Sequence, residues 1–369
     1  MQMSSSTPLA SSVPPHGGNL SAEANRLGCS PRSLLDASAS LVPHAPRLPQ
    51  GWWRAGLRDY PDRSHAQLRQ LIAACHGLPP ELVLPGNGAA ELFTWAARDA
   101  SMAGAANLGF TPGFADYGRA LRSWGGELTG IPLPLTDSSA GPQVFPRVPD
   151  GDVLWICNPH NPTGQLWGRE SLEPLLARFR LVICDEAFLS LVPDGEAQSL
   201  IPLVASHPNL VVIRSLTKLY GAAGLRLGYA IAQPDRLQRW AAWRDPWPVN
   251  GLASAAAAHW LASPQRYRRW CRKAQAWVAK EGAGMQQQLQ QLPGITPMAS
   301  AVNFLLIRAD QSLVPLREAL EQRHHILLRD CRSFDGLGEC WLRIGLQSRA
   351  NNCRIIRALR VELKRQPLV

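Results

Sequence analysis

One pattern recurs through the middle of the chain and limits the folds open to it. A short apolar run ends in a loop carrying glycine or a polar residue, and helical patterns lie between many of the runs. ELVLPGNGAAE (81–91), AANLGFTPGFADYGRAL (105–121), DVLWICNPHNPTG (152–164), RLVICDEAF (180–188), NLVVIRSLTK (209–218) and LRLGYAIA (225–232) all contain such strands. Helical patterns run over 113–124 and 168–179. Apolar strands alternating with helices predict an α/β fold on a mostly parallel sheet. Such sheets bind ligands at the carboxyl ends of their strands, which is where this chain places its polar residues.

Past RDPWPVNG (244–251) the pattern changes. Residues 251–292 read as long helix. A strand (303–308), a helix (312–324), two strands (326–331 and 340–346) and a last helix (349–365) follow. They form a small α/β unit that residues 30–60 are expected to join. The predicted organisation is an arm over 1–29, partly disordered, a large domain over 61–250, and a small domain built from 30–60 and 251–369. A chain of 369 residues is long enough for two cores.

Composition narrows the function. The formal net charge is +10, which reads either as an anionic ligand or as an arginine-favouring composition on a solvated surface. No run of five basic residues and no nucleic-acid motif occurs, and the densest patch, QRYRRWCRK (265–273), fits a helix face. Nucleic acid is therefore not an expected partner. No apolar run is long enough for a membrane span. The opening MQMSSSTPLASSVPP lacks the pattern of a secretory signal and reads as a loose tail. None of the eight cysteines forms a CxxC pair, and no metal spacing is visible, which suits a reducing cytoplasm.

Lysine is scarce. There are four (Lys218, Lys273, Lys280, Lys364) among 38 basic residues, so 34 are arginine. Only Lys218 follows an apolar strand, in SLTKLYGAAGLRLGY (215–229). A lysine that is to attack a carbonyl must be neutral near neutral pH, and burial and a nearby cation both favour that form. Arg226 can supply the cation. With the hydroxyls of Ser215 and Thr217 it can also hold a phosphate. These residues form a cradle suited to pyridoxal phosphate, and Asp185 at a strand end is the candidate acid for its ring nitrogen. Each signal alone has a plain reading: a strand-end Asp is usually a cap or turn residue, a lone Lys is usually solvated, and NPTG is first of all a turn. Their order is more specific. Asp185 stands 24 residues after Asn161 of NPHNPTG, Lys218 33 after Asp185, and Arg226 eight after Lys218.

At these motifs the chain resembles the fold-type I pyridoxal-phosphate enzymes, in the aminotransferase branch near histidinol-phosphate aminotransferase. The resemblance runs from about residue 16 to 360. It implies that Lys218 carries the cofactor, Asp185 pairs its ring nitrogen and Asn161 its 3-oxygen. It implies that Ser215, Thr217 and Arg226 hold the phosphate. Gly88, Ala89 and Ala90 would add N–H groups at a helix start, which suits an anion physically too. Phe114 would lie on the ring face, although core packing is an equal reading of that side chain. Tyr60 would reach the cofactor of a neighbouring subunit, implying a homodimer. Arg343 would grip a substrate carboxylate, a task its fork fits.

Two reactions compete in this family: loss of a proton from the substrate α-carbon, as in transamination, and loss of its carboxylate. The bond perpendicular to the ring is the one that breaks. HGGNL (16–20), PGFADYGRAL (112–121), Phe188 of DEAF and DPWPVNGLA (245–253) resemble the threonine-phosphate decarboxylases of cobalamin synthesis. The resemblance implies L-threonine O-3-phosphate as substrate, with His16 and Arg329 binding its phosphate; as a bare sequence feature His16 is a solvated tail residue. Two departures stand in SASLVP (38–43): Ser40 and Val42 replace asparagines, Ser40 facing the substrate. A histidinol-phosphate aminotransferase and a silent cofactor-binding homologue are the alternatives.

Overall fold

A computed structural model describes residues 16–102, 105–135 and 139–368. Two sheets organise it. The larger has seven strands in the order Val83–Asn87, Leu227–Ile231, Leu210–Ser215, Leu181–Asp185, Val153–Cys157, Asn107–Thr111, Leu128–Pro132. All are parallel except Leu227–Ile231, which runs antiparallel to both its neighbours. Both faces of this sheet are buried. Leu154, Ile156, Val182 and Val212 pack into one apolar cluster; Val153, Trp155, Ile183 and Val211 pack into another on the opposite side. That double burial explains why the strands read as continuous apolar runs rather than alternating ones.

The parallel strands bring Asn87, Thr111, Cys157, Asp185 and Ser215 to one edge. The antiparallel strand begins at that same edge, since Leu227 pairs with Asn87. Arg226 therefore arrives beside the other strand ends although its strand runs the other way.

The second sheet has the order Leu35–Ala37, Ile326–Asp330, Trp341–Gly345, Phe304–Arg308, Thr296–Pro297. Leu35–Ala37 joins in parallel to Ile326–Asp330, so a strand from early in the chain completes a sheet built from its end. A third apolar cluster lies against it, with Leu305, Ile307, Leu328, Ile344, Ile355 and Leu359.

The structure corrects several element boundaries. The strand expected to run through Lys218 stops at Ser215, and Lys218 sits in the short helix Leu216–Tyr220. The helix expected over 168–179 is an α-helical turn, Arg169–Leu172, continued as 3-10 helix over Glu173–Ala177. The helix expected over 251–292 is two, Gly251–Trp260 and Pro264–Gln290, because Ser263 caps and Pro264 opens the second. Ala253, Ala256, Trp260 and Val278 pack into the cluster of the large sheet, whereas Met285 and Leu289 pack into that of the small sheet. The helix Pro264–Gln290 thus contributes side chains to both cores. Of the expected arm, residues 1–15 lie outside the described residues. Leu20–Leu27 is a helix with Asn19 as its cap, and Arg26 is ion-paired to Glu321 at 2.6 Å.

Candidate active site

A cavity of about 500 Å³ opens at the carboxyl edge of the large sheet, beneath the small one. It gathers residues from distant parts of the chain, and the local fold explains how each arrives. Asp185 ends the central strand, in register with Cys157 and Ile213. It is buried, and its carboxylate is held at both oxygens: Tyr117 donates to Oδ2 at 2.5 Å, and the Ala187 N–H donates to Oδ1 at 2.9 Å. Burial pushes this carboxyl up to about 6, against the pull of the Tyr117 hydroxyl.

Lys218 faces Asp185 from the first turn after the neighbouring strand. Burial pulls its amine down to about 8, and the positive charges of Arg343 and Arg226 act in the same direction. Its Nζ lies 5.5 Å from the Phe188 ring. Beside it Thr217 is buried, and its hydroxyl has no hydrogen-bond partner.

Arg226 lies across the start of the helix Gly88–Ser101. Gly88 has φ 72°, and a Cβ there would come within 2.5 Å of the Arg226 guanidinium. Gly228 lets the same helix start press on the sheet, since a Cβ there would meet the Ala89 nitrogen at 2.6 Å. No side chain caps this helix, so its first N–H groups and Arg226 face the same space, an arrangement that suits an anion. Ala89, Ala90, Ser215 and Phe114 line the cavity there.

The small sheet supplies two arginines. Arg329 and Arg343 are directly opposed on antiparallel strands, so their side chains share a face. Both pack on Phe334, at 5.3 and 5.8 Å from the ring centre. Arg343 donates to Asn161 Oδ1 and, at 3.2 Å, to the Ser38 carbonyl; its Nε is buried without a partner. Burial lowers it to about 10, with Arg329 adding to the shift, so both stay charged at neutral pH.

The amino-terminal segment closes one side. The Gly18 N–H donates to Ser38 Oγ at 3.1 Å, and the His16 ring packs on Phe114 at 5.6 Å. Burial holds the His16 imidazole below its usual value, and Arg329, Arg119 and Lys218 add to the effect while Asp116 opposes it. Ser40 lines the wall, buried and with an unpartnered hydroxyl.

Of the expected residues, Tyr60 alone stands away from this chain's own cavity. It is 82% exposed, with its ring on Trp247 at 4.7 Å. Among the further wall residues that escaped sequence inspection are Ser38, Asp116, Arg119 and Phe334, and so did the buried Tyr117 behind Asp185. Three of them sit in PGFADYGRAL, where an acid, a phenol and a base in a small-residue helical stretch were the available signal.

Three orphaned polar groups, on Thr217, Ser40 and Arg343, fit a bound polar ligand, because a buried unpaired group costs about 1–3 kcal/mol. The walls offer cations at both ends and an amine between. They fit a phosphorylated aldehyde ring at the Arg226 end and a second anion at the Arg329 end. Among the described residues no group of three or more His, Cys, Asp or Glu is placed to hold a metal ion.

The pattern of the aminotransferase class I and II family matches residues 54–359. The chain belongs to this family. Its cofactor is accordingly pyridoxal phosphate, and its fold is fold type I. The chain is 36% identical to a threonine-phosphate decarboxylase of Salmonella typhimurium, over 94% of this chain and 95% of that one. It is 30% identical to a histidinol-phosphate aminotransferase of Symbiobacterium thermophilum, over 92% and 88%. Its backbone follows that of the histidinol-phosphate aminotransferase of Sinorhizobium meliloti in complex with pyridoxal-5'-phosphate, with TM-score 0.78, 20% identity and 94% and 95% coverage.

Proposed function

We propose that this family member decarboxylates L-threonine O-3-phosphate to (R)-1-amino-2-propanol O-2-phosphate and carbon dioxide, as a homodimer, in cobalamin synthesis. The observation that carries this reading is the opposed pair Arg329 and Arg343, with His16 lining the same cavity. An amino acid with a carboxylate and a phosphate meets a separate cation for each. The similarity to the Salmonella typhimurium decarboxylase supports the same choice.

Lys218 would bind the cofactor covalently, with Asp185 at its ring nitrogen, Asn161 at its 3-oxygen and Phe114 against its face. Ser215, Thr217, Arg226 and the N–H groups of Gly88, Ala89 and Ala90 would hold its phosphate, joined by Tyr60 of a second copy. When bound, the cofactor supplies an electron sink for the carbon that loses its carboxylate. Arg343 orients that carboxylate, and Arg329, His16 and Ser40 hold the phosphate, so the substrate is fixed at two ends. Phe188 brings no hydroxyl, which leaves Asn161 as the donor to the 3-oxygen. As carbon dioxide departs, the proton that replaces it comes from Lys218 Nζ, whose lowered affinity suits proton transfer near neutral pH.

The test is incubation of the purified enzyme with threonine phosphate and trapping of carbon dioxide. Stoichiometric release with the amino-alcohol phosphate is expected. Glutamate formed from histidinol phosphate and 2-oxoglutarate, with no carbon dioxide from threonine phosphate, would install the aminotransferase reading instead.

A further inference from the structure

Tyr117 is 4% exposed and fully packed as a ring. It stacks on Trp155 at 5.3 Å and 28° and meets Phe93 and Phe114 edge-on at 5.2 and 5.5 Å. A phenylalanine would satisfy all three contacts. The hydroxyl is thus unexplained by packing, and burying one is unfavourable unless it bonds. Its bond goes to Asp185 Oδ2 at 2.5 Å, within the short range of a hydroxyl donating to a charged oxygen. The two residues are 68 apart in sequence, and only the strand order brings them together.

We propose that Tyr117 is a positioning residue whose hydroxyl keeps the Asp185 carboxylate ionised and fixed in orientation toward the cofactor ring nitrogen. This rests on the assignment of Asp185 to that nitrogen. The surroundings of Asp185 make the donor necessary. Cys157 Sγ is 4.0 Å from Oδ2 on one neighbouring strand, Cys184 precedes Asp185 on its own strand and Glu186 follows just past the strand end, and Lys218 faces it from beyond the other neighbouring strand. Burial works against the charge and Glu186 adds to that; Tyr117 is the largest opposing influence, ahead of the Ala187 N–H and Lys218. Burial and the adjacent carboxylate hold the phenol protonated far past its ordinary range, so it donates at every working pH.

The experiment is equilibrium dialysis of pyridoxal phosphate against the full chain, from acid to mildly alkaline pH. The proteins are wild type, Tyr117→Phe, Asp185→Asn and the double variant. Tyr117→Phe is expected to raise the pH at which affinity is half lost by about one unit. At that acid flank it binds roughly tenfold more weakly, with the difference closing at alkaline pH. In the Asp185→Asn background the same change is expected to do nothing further. A fluorinated tyrosine at 117, which keeps the shape and donates more strongly, moves the midpoint the other way and serves if Tyr117→Phe folds poorly. A Tyr117→Phe profile matching wild type overturns the proposal. So does a loss of affinity that is equal at all pH values and persists without Asp185, which is the behaviour of a packing residue. Undiminished binding by Asp185→Asn would instead remove the assignment of Asp185 itself.

Discussion

Lys218 is the residue on which most depends. Lys218→Ala is expected to abolish the visible absorption band of the bound cofactor and the activity, checked by spectrophotometry and carbon dioxide release. Its amine is lowered to about 8, so the neutral form gains as pH rises through that value. The rate at which added cofactor attaches to the cofactor-free chain should rise with pH and level off above about 8. In Arg343→Met the midpoint should move to higher pH, because one of the charges that disfavours the ammonium is gone. At the other end of the cavity, Arg329→Ala is expected to raise KM for threonine phosphate by roughly 10- to 100-fold, the loss of one charge-assisted contact. Unchanged steady-state kinetics would place Arg329 outside the substrate site.

The elements carry a different lesson. Gly88 begins a helix at φ 72° with the Arg226 guanidinium in the place of its missing side chain. Gly88→Ala is expected to cost about 1–2 kcal/mol in thermal unfolding, since both the backbone and Arg226 must shift. It should weaken cofactor binding more than it lowers stability. Asp185, Ser215 and Lys218 were legible because each lies at or just past the end of an apolar run, and a parallel sheet collects such ends at one edge; Arg226 was legible by its spacing eight residues after Lys218. Arg329 and Arg343 stood out only through the family resemblance, because a single charge within a strand does not by itself say which face it takes. Tyr117, Asp116 and Arg119 did not, because a helix that caps a neighbouring strand gives no sign in its own spacing of what it faces. The break at Ser263–Pro264 was missed within an otherwise helical composition, and the start of helix at Leu216 was hidden by the β-branched run before it.

At the scale of the molecule, Tyr60 is the informative residue. It is exposed and rests on Trp247, yet the family resemblance gives it a task at a cofactor. If it serves a second copy, two inactive variants should rescue each other. Mixing Lys218→Ala with Tyr60→Phe chains, unfolded and refolded together, should produce dimers with one intact site and restore up to about a quarter of wild-type activity. No recovery, with dimers present by sedimentation, would confine Tyr60 to its own chain's surface.

The helix Pro264–Gln290 has 27 residues, so it spans about 40 Å, with Val278 rooted in one core and Met285 in the other. A rod anchored at both ends cannot slide. It allows the two sheets to flex toward each other only by bending between those anchors, where Gly282 and Gly284 thin it and a void of about 570 Å³ lies alongside. Stiffening that stretch should therefore alter how fast substrate enters and product leaves, at a distance from every residue that touches them.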